Sequence, residues 1–334
     1  MSENKQHMTS IGGQAVLEGV MMRGPSKNAV AVRKPDGEID IEVKKNNSLV
    51  AKLRLAKIPI IRGVVSFFDS LIIGVSATMH SAEFIDLEGE EDEKPSKFDA
   101  FIEKHFGDKM LDIVMWVSIA LSLVLGVGLF MLLPTAVAGW IKSLLLNETF
   151  IQFPTAFIDA IAPVINNHIV LNLLEAFTRI IIFVLYMLLV SQMKDMQRVF
   201  EYHGAEHKTI ACYEAGEELN VENAAKHSRF HPRCGTSFLL IVMVVSILFF
   251  SFLTWDNVWT RMGTRLLLLP VVAGISYEII RFAGRSKSKC VAFLTKPGLW
   301  LQKLTTREPD EEQLEVAIAS LKAVMPENGE DDRW

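Results

Sequence analysis

Long apolar runs are the feature that most restricts how this 334-residue chain can fold. Half of its residues are hydrophobic, and they gather in runs near the ~20 residues that a helix needs to cross a bilayer. Four runs predict spanning helices, at residues 111–133, 169–190, 238–253 and 266–282. The sequence therefore predicts a mainly α, polytopic helical membrane protein with about four spanning helices.

A fifth apolar run, residues 58–79, carries Arg62, Ser66, Asp69 and Ser70 at helical spacing. Such a narrow polar stripe is typical of an amphipathic helix. We expect this helix to lie in the membrane interface or to pack under the other spans. Whether it crosses the membrane stays open at this stage.

Lysine and arginine residues alternate between rich and poor segments along the chain, which predicts the orientation of a multi-pass protein in the cell membrane. The rich segments precede the first run, separate the second from the third, and follow the fourth. The loop between the first two runs has only Lys142, although Arg261 and Arg265 beside the fourth run weaken the pattern. The N- and C-termini and residues 192–237 are therefore expected in the cytoplasm.

The chain divides into five consecutive regions on this interpretation. A small cytoplasmic or interfacial N-terminal part has a β-hairpin at residues 29–45 around Pro35-Asp36-Gly37, and a charged linker follows at residues 88–97. In the tail, Asp310 is expected to cap an amphipathic helix. The regions are 1–108 (N-terminal part), 109–191 (first two spans), 192–237 (His/Cys loop), 238–283 (last two spans) and 284–334 (tail).

Four of the eight histidines lie between residues 203 and 231. If the second span continues as a helix, His203 and His207 lie on one face of it and can bind one ion together. His231, the preferred third ligand, and Cys234, the next candidate, follow just before the third span. His227, after a short helix capped by Asn220, is a substitute ligand or supports the others. Imidazole and thiolate ligands favour a divalent transition metal, with Zn²⁺ expected. Contact with lipid headgroups or carboxylates is the simpler alternative for these histidines.

Glu206 gives the stretch "HGAEH" the order His-x-x-Glu-His, the inverted arrangement of some zinc peptidases. A carboxylate beside a metal-bound water can act as general base. No distant glutamate is identifiable as a further ligand, so the motif supports metal-assisted hydrolysis as a hypothesis but does not by itself indicate peptidase activity. Whether Glu206 serves as the base or packs beside a structural metal site remains open.

A glycine-rich stretch, residues 11–26, contains the polar residues Gln14, Glu18 and Arg23. It lacks the Gly-Lys-Ser order of a phosphate-binding loop. A tight turn packed against the helices is the preferred interpretation. The alternative is that these three side chains bind a polar or anionic substrate at the metal site.

Two charged residues, Glu175 and Arg179, lie four apart within the second span. Charges at bilayer depth either pair or line a polar path. A buried intrahelical ion pair is the preferred interpretation, and a transporter pathway is the alternative. The net charge of −5 gives no indication of nucleic-acid binding, and three cysteines do not form a disulfide framework.

Four segments together carry a resemblance to a known family. They are "GGQAVLEGVMMRGP", "YHGAEHKTIACYEAG", "HPRCGTSF" and "LTTREPDEEQLEVAIASL". In this order they resemble the bacterial YqhQ-type membrane proteins, a family of unknown function whose members are regarded as metal-dependent enzymes. The resemblance covers nearly the whole chain. It implies a multi-span protein with a metal site at His203, Glu206, His207, His231 and Cys234, and Gln14, Glu18 and Arg23 as signature residues.

The function expected from these features is that of a membrane-embedded, metal-dependent hydrolase with a cytoplasm-facing site. Its substrate would be lipid-linked or a membrane-proximal peptide. A non-enzymatic scaffold or assembly factor with a structural metal is the first alternative, and a transporter is the second.

Overall fold

A four-stranded antiparallel sheet forms the N-terminal part of the chain in the computed structural model. The structure describes residues 8–46, 58–84, 110–146, 153–251, 258–285, 288–326 and 332. The strands pair in sequence order, β1-β2-β3-β4. They are β1 (Gly12–Val16), β2 (Gly19–Arg23), β3 (Lys27–Arg33) and β4 (Ile39–Lys45).

The β3–β4 hairpin confirms the prediction made from Pro35-Asp36-Gly37. Gly37 adopts a positive φ of 86°, which glycine tolerates without steric cost. The Asp36 carboxylate accepts a hydrogen bond from the Glu38 amide at 2.9 Å, a contact typical of turns.

The glycine-rich stretch forms a second hairpin, β1–β2, where a packed tight turn was preferred. Its turn has Glu18 at a φ of 49°, directly before Gly19. A Cβ on Gly19 would overlap the carbonyl oxygen of Ala31 in the neighbouring strand. Glycine is depleted in strands, so its use here for close strand approach hid the hairpin from sequence reasoning.

Eleven helices follow among the described residues. The helix Met110–Val127 continues into the helix Leu133–Leu145 through a π-helical turn, Gly128–Leu132. The helices are α1 (Ile61–Ala82), α2 (Met110–Val127), α3 (Leu133–Leu145), α4 (Thr155–Ile165), α5 (His168–Val190), α6 (Lys194–Glu214), α7 (Val221–Lys226), α8 (Gly235–Ser251), α9 (Val258–Arg285), α10 (Lys289–Thr305) and α11 (Glu311–Val324).

Four described helices are long and apolar enough to cross a membrane, in agreement with the predicted number. They are Ile61–Ala82, Trp116–Leu145, His168–Val190 and Met262–Ala283. The set differs from the predicted one in one member. The run at 58–79 qualifies as α1, whereas the apolar part of α8, Phe238–Ser251, belongs to the shorter helices.

The second span does not continue without interruption into the histidine helix, as the sequence had suggested. Residues 191–193 form a turn, and Met193 is extended at the N-terminus of α6. Two predicted caps are confirmed further along the chain. Asn220 accepts from the Asn223 amide at 2.8 Å, and Asp310 forms a reciprocal capping box with Gln313 at the start of α11.

The N-terminal sheet, α6 and α11 share one hydrophobic core. Val20 and Met22 of β2 meet Tyr202 of α6 and Leu314 and Leu321 of α11 there, and each is at most 2% exposed. The predicted apolar face of α11 is thus buried, since its three- and four-residue spacing aligns those side chains. This core holds the histidine helix rigidly against the sheet.

The chain divides into two compact units, each assembled from separate stretches of sequence. The first comprises Met1–Ile85, Met187–Ser246 and Leu267–Trp334, and the second comprises Asp86–Tyr186 and Ile247–Leu266. The five regions expected from the sequence are consecutive segments of the chain, whereas each compact unit combines segments that are separated in the sequence. The predicted regions and the compact units therefore describe different properties of the chain. The predicted linker at 88–97 and the lysines before the first span lie outside the described residues.

Glu175 in the second unit is 1% exposed and is surrounded by donors. The Arg179 guanidinium lies 3.1 Å from its carboxylate, Arg265 also pairs with it, and the Thr135 hydroxyl donates to it at 3.0 Å. Arg179 donates in addition to the Phe130 carbonyl in the π-helical turn, at 3.0 Å. The predicted ion pair is therefore part of a larger buried network.

Candidate metal centre

Helix α6 presents the two histidines of the HGAEH motif on one face. His203 and His207 are one helical turn apart, and their ring centroids are separated by 4.5 Å. The helix begins with Asp195 in its first turn, which is favourable near the positive end of the helix dipole. It ends at Glu214, and Gly216, two residues later, has a φ of 71°, the left-handed conformation common after helix C-termini.

Cys234 completes a group of three metal-ligand atoms. Its Sγ lies 3.1 Å from His203 Nε2, and one donor atom from each of His203, His207 and Cys234 lies within 4.8 Å of the others. Cys234 directly precedes α8, and the Thr236 amide donates to its sulfur at 3.4 Å. Residues 31 positions apart therefore converge at one point of the first unit.

Backbone carbonyls fix the tautomer of both histidines. His203 Nδ1 lies 2.7 Å from the Thr305 carbonyl oxygen, and His207 Nδ1 lies 2.5 Å from the Arg229 carbonyl oxygen. A carbonyl oxygen only accepts, so each Nδ1 carries a proton, and in the neutral form of each ring Nε2 has the free lone pair. Metal-bound histidines commonly show this arrangement.

These residues fit a bound divalent metal. His207 Nε2 is buried and has no hydrogen-bond partner among the described residues, an exception that calls for an explanation in a well-packed protein. Burial lowers the pKa of His207, which favours the neutral form that binds metals. Imidazole nitrogen and thiolate sulfur are both zinc ligands, and three protein ligands is the number that catalytic zinc sites use, which leaves a fourth position open.

His231, a predicted ligand, lies beside the triad but faces other partners. Its ring centroid is 5.6 Å from that of His207, and its Nε2 lies 3.5 Å from the Glu214 carboxylate. Burial raises the pKa of Glu214, but the His231 ring, Arg233 and the Thr9 amide outweigh this effect and hold that pKa below its usual value. His231 thus belongs to an ionic cluster that lies beside the three candidate metal ligands.

His227 is not with the triad. Its Nε2 lies 3.1 Å from the Glu217 carboxylate, and these two residues form a separate group with Cys212. Cys212 is fully buried, as expected for a small apolar residue.

Glu206 is buried next to β1. It is 5% exposed, and a Cβ on Gly13 would lie 3.0 Å from both its Cγ and its Oε1. Glycine at position 13 therefore allows the strand to approach the carboxylate. Burial raises the pKa of Glu206, while the His203 charge and the Gly13 amide act in the opposite direction.

A cavity of about 660 Å³ in the first unit joins these groups. The donors His203, His207 and Cys234 line it, together with Glu206 and His231. Of the three predicted substrate-binding residues, Gln14 and Arg23 also line this cavity.

Glu18 lies elsewhere, at the β1–β2 turn. It pairs there with Arg198, and the Tyr202 hydroxyl donates to it at 3.3 Å. The structure therefore gives Glu18 a role in fixing the sheet to α6.

Sequence reasoning missed the residues that hold the ligands in place. Thr305 and Gln302 are at the end of α10, about seventy to one hundred positions from the groups they contact. The Gln302 side chain forms two hydrogen bonds with the His231 backbone. Thr305 belongs to one of the segments that carry the family resemblance, whereas Gln302 precedes that segment. No local pattern marks a buried glutamine or a helix-terminal carbonyl as a support.

Known proteins provide a family but no solved structure. Residues 58–327 match the family described as "Protein of unknown function (DUF1385)". The chain is 34% identical over 318 residues to the "Uncharacterized protein YqhQ" of Bacillus subtilis (strain 168), covering 94% of this chain and 92% of that protein. No solved structure matches the chain.

Proposed function

Since the chain belongs to the DUF1385 family of proteins of unknown function, we propose its activity from the site itself: it is a membrane-bound, metal-dependent hydrolase. The observation that carries this proposal is the convergence of His203, His207 and Cys234 on the wall of a cavity that also contains Glu206. A ligand triad that borders a cavity leaves room for a substrate beside the metal.

His203, His207 and Cys234 would hold the metal, with Zn²⁺ the preferred ion. The Thr305 and Arg229 carbonyls keep both Nε2 lone pairs available. A zinc ion bound there supplies a Lewis acid that polarises a substrate oxygen and favours ionisation of water.

Glu206 would move the proton. Its raised pKa suits a group that accepts a proton in one step and donates it in the next. In hydrolysis the water oxygen bonds to the electrophilic atom of the substrate, and the bond to the leaving group breaks. Glu206 receives the proton lost by the water and passes it to that leaving group.

The proposed orientation has the site facing the cytoplasm, with both termini on that side of the cell membrane. Lysines and arginines in residues 192–237 and after residue 284 support this. An inverted orientation would bring those charges to the outer surface.

A structural metal site in a non-enzymatic scaffold is the second candidate. The burial of His207 and Cys234 favours it, since structural sites are closed to solvent. An experiment can distinguish the scaffold from the hydrolase. A scaffold requires the bound metal, whereas the hydrolase also requires proton transfer by Glu206.

The transporter alternative has less support. Glu175, which would line its path, is paired with Arg179 and Arg265. Such a network stabilises a buried carboxylate without any transported ion.

The test is incorporation of oxygen from ¹⁸O-labelled water. The purified full-length protein is loaded with Zn²⁺ and incubated with a total bacterial membrane extract, and the products are examined by mass spectrometry. We expect one ¹⁸O atom in a product of the wild type, and no label with a Glu206→Gln variant that retains its zinc. Equal labelling by the two proteins would exclude Glu206 as the base, and no labelling by either would favour the scaffold.

A further inference from the structure

The cavity beside the metal triad has one apolar side made by helices. Phe67, Leu71 and Ile73 of α1 line it, and Phe238 and Leu239 line it from the start of α8. These five side chains offer no hydrogen-bonding groups, and among the described residues the hydroxyls of Ser70 and Thr236 are the polar side-chain groups that the same two helices contribute to the cavity. That part of the cavity therefore suits a hydrocarbon chain better than a peptide, whose buried backbone amides would need partners.

Two of these side chains are also at the outer surface. Leu71 is 48% exposed and Leu239 is 50% exposed. Leu71 is on α1, which is long and apolar enough to span a membrane, and Leu239 is in the apolar helix Phe238–Ser251. Apolar residues exposed on a helix within the bilayer contact lipid, so we expect acyl chains to reach the rim of the cavity at Leu71 and Leu239.

The other side of the cavity is polar and carries basic groups. Arg23, whose guanidinium lies 3.6 Å from the Asp69 carboxylate, and Arg233, which pairs with Glu214, line it. Glu206 is the acidic residue among the described lining residues. Guanidinium groups bind phosphate oxygens in a planar, two-point geometry. The volume of about 660 Å³ is within the range of sites that enclose a small molecule or part of a lipid.

We propose that the substrate is an anionic membrane lipid that enters between α1 and α8. Its acyl chain lies along Leu71 and Leu239, and its charged headgroup lies towards Arg23 and the metal triad. That an ester bond near the headgroup is hydrolysed rests on the proposed function, whereas binding of the lipid does not. In that reaction water oxygen bonds to the phosphorus or carbonyl carbon, the ester bond breaks, and the leaving oxygen takes the proton from Glu206.

The experiment uses phosphatidylglycerol that carries a photoreactive diazirine in one acyl chain. The probe is added to the purified full-length protein in detergent, irradiated, and its attachment sites are mapped by mass spectrometry. We expect attachment to peptides containing Leu71 or Leu239, and competition by unlabelled phosphatidylglycerol but not by phosphatidylcholine.

Matched substitutions on one helix separate cavity binding from general contact with lipid. Leu239 and Leu248 are both exposed leucines of α8, at 50% and 60%, but only Leu239 is among the described residues that line the cavity. Leu239→Trp should reduce labelling of the Leu71 peptide roughly tenfold or more, since added bulk blocks a fitted apolar site. Leu248→Trp should leave it unchanged, and equal labelling in the two variants would overturn the proposal.

Headgroup selection and catalysis are tested separately. Arg23→Gln should remove the preference for phosphatidylglycerol over phosphatidylcholine, and a wild type without that preference would overturn the anionic assignment. Glu206→Gln should still bind the probe. If this variant binds the probe while the wild type incorporates no ¹⁸O, the proposal of lipid binding stands and the hydrolase proposal fails. If hydrolysis occurs but a membrane-derived peptide, rather than lipid, carries the ¹⁸O, the lipid assignment fails alone.

Discussion

The side-chain amide of Gln302 forms two hydrogen bonds with the backbone of His231. The His231 amide donates to its Oε1 at 2.9 Å, and its Nε2 donates to the His231 carbonyl at 2.8 Å. Gln302 is fully buried, so neither pair competes with water. Helix α10 thereby fixes the turn that carries Cys234, while its last residue, Thr305, orients His203.

Replacing Gln302 should weaken metal binding without removing a ligand. Gln302→Ala leaves two buried backbone groups unpaired, which costs about 2–4 kcal/mol in the free energy of unfolding. Loss of such supporting contacts typically lowers metal affinity about 10–100-fold. Competition with a chelating dye measures the affinity, and chemical unfolding measures the stability.

Gln192→Ala is the matched control. Gln192 is exposed, and its side chain donates to the Leu188 carbonyl. Its replacement should change neither quantity. If the two variants bind zinc equally well, the two hydrogen bonds to His231 have no role in the metal site.

We predict that replacing Gly204, even with alanine, lowers the stability of the protein. A Cβ at this position would overlap the Arg307 carbonyl oxygen, and the Arg307 amide donates to the Phe200 carbonyl at 2.8 Å. Gly204→Ala must therefore push the segment after α10 away from α6, at a cost of about 1–3 kcal/mol. Thermal unfolding should show the loss, and zinc affinity should fall with it as Thr305 moves from His203.

The control for this change is Gly139→Ala in α3. Apart from the neighbouring backbone of α3, no atom of the described residues lies within 4 Å of a Cβ added there, and alanine favours helix more than glycine does. That variant should be as stable as the wild type or slightly more stable. Normal stability and zinc affinity in Gly204→Ala would show that the Arg307 contact is easily relaxed.

Acidification should loosen the ionic cluster around Glu214. The folded state holds the pKa of Glu214 below its usual value of 4.5, so the cluster contributes stability above that value. This contribution is lost as the pH falls through the lowered folded-state pKa. Glu214→Gln should thus be less stable than the wild type at neutral pH, and the difference should shrink as the pH falls below about 4.5.

Unfolding by denaturant at several pH values measures this difference. Glu222→Gln serves as the control, because Glu222 is an exposed carboxylate that pairs with Lys226 on α7. A difference between wild type and Glu214→Gln that is independent of pH would contradict the assignment.

Local signals in the sequence predicted many elements of this fold correctly. Pro35-Asp36-Gly37 fixed a hairpin, Asn220 and Asp310 marked helix starts, and apolar runs marked the candidate spans. Each of these signals acts within a few residues, through turn conformations, caps or helical spacing. The β1–β2 hairpin was not predicted from the sequence. Gly13 and Gly19 allow other parts of the chain to approach the strands closely, and this role depends on residues that are distant in the sequence.

In the candidate site, only the candidate metal ligands could be named from the sequence. Residue type and spacing favoured His203, His207 and His231, with Cys234 next, whereas the structure brings His203, His207 and Cys234 together. In the structure His231 pairs with Glu214 and His227 pairs with Glu217. Residue spacing alone did not indicate these two pairs. Long-range contacts from Gln302 and Thr305 decide which histidines can converge, and no periodicity in the sequence reports such contacts.

The most direct test of the central claim is the coordination of zinc in the purified protein, measured by X-ray absorption at the zinc edge together with metal analysis. We expect about one zinc per chain, with two nitrogen ligands near ~2.0 Å and one sulfur near ~2.3 Å. Cys234→Ser should remove the sulfur signal, whereas Cys212→Ser should leave it intact. Protein that binds no metal, or a zinc shell without sulfur in the wild type, would contradict the account.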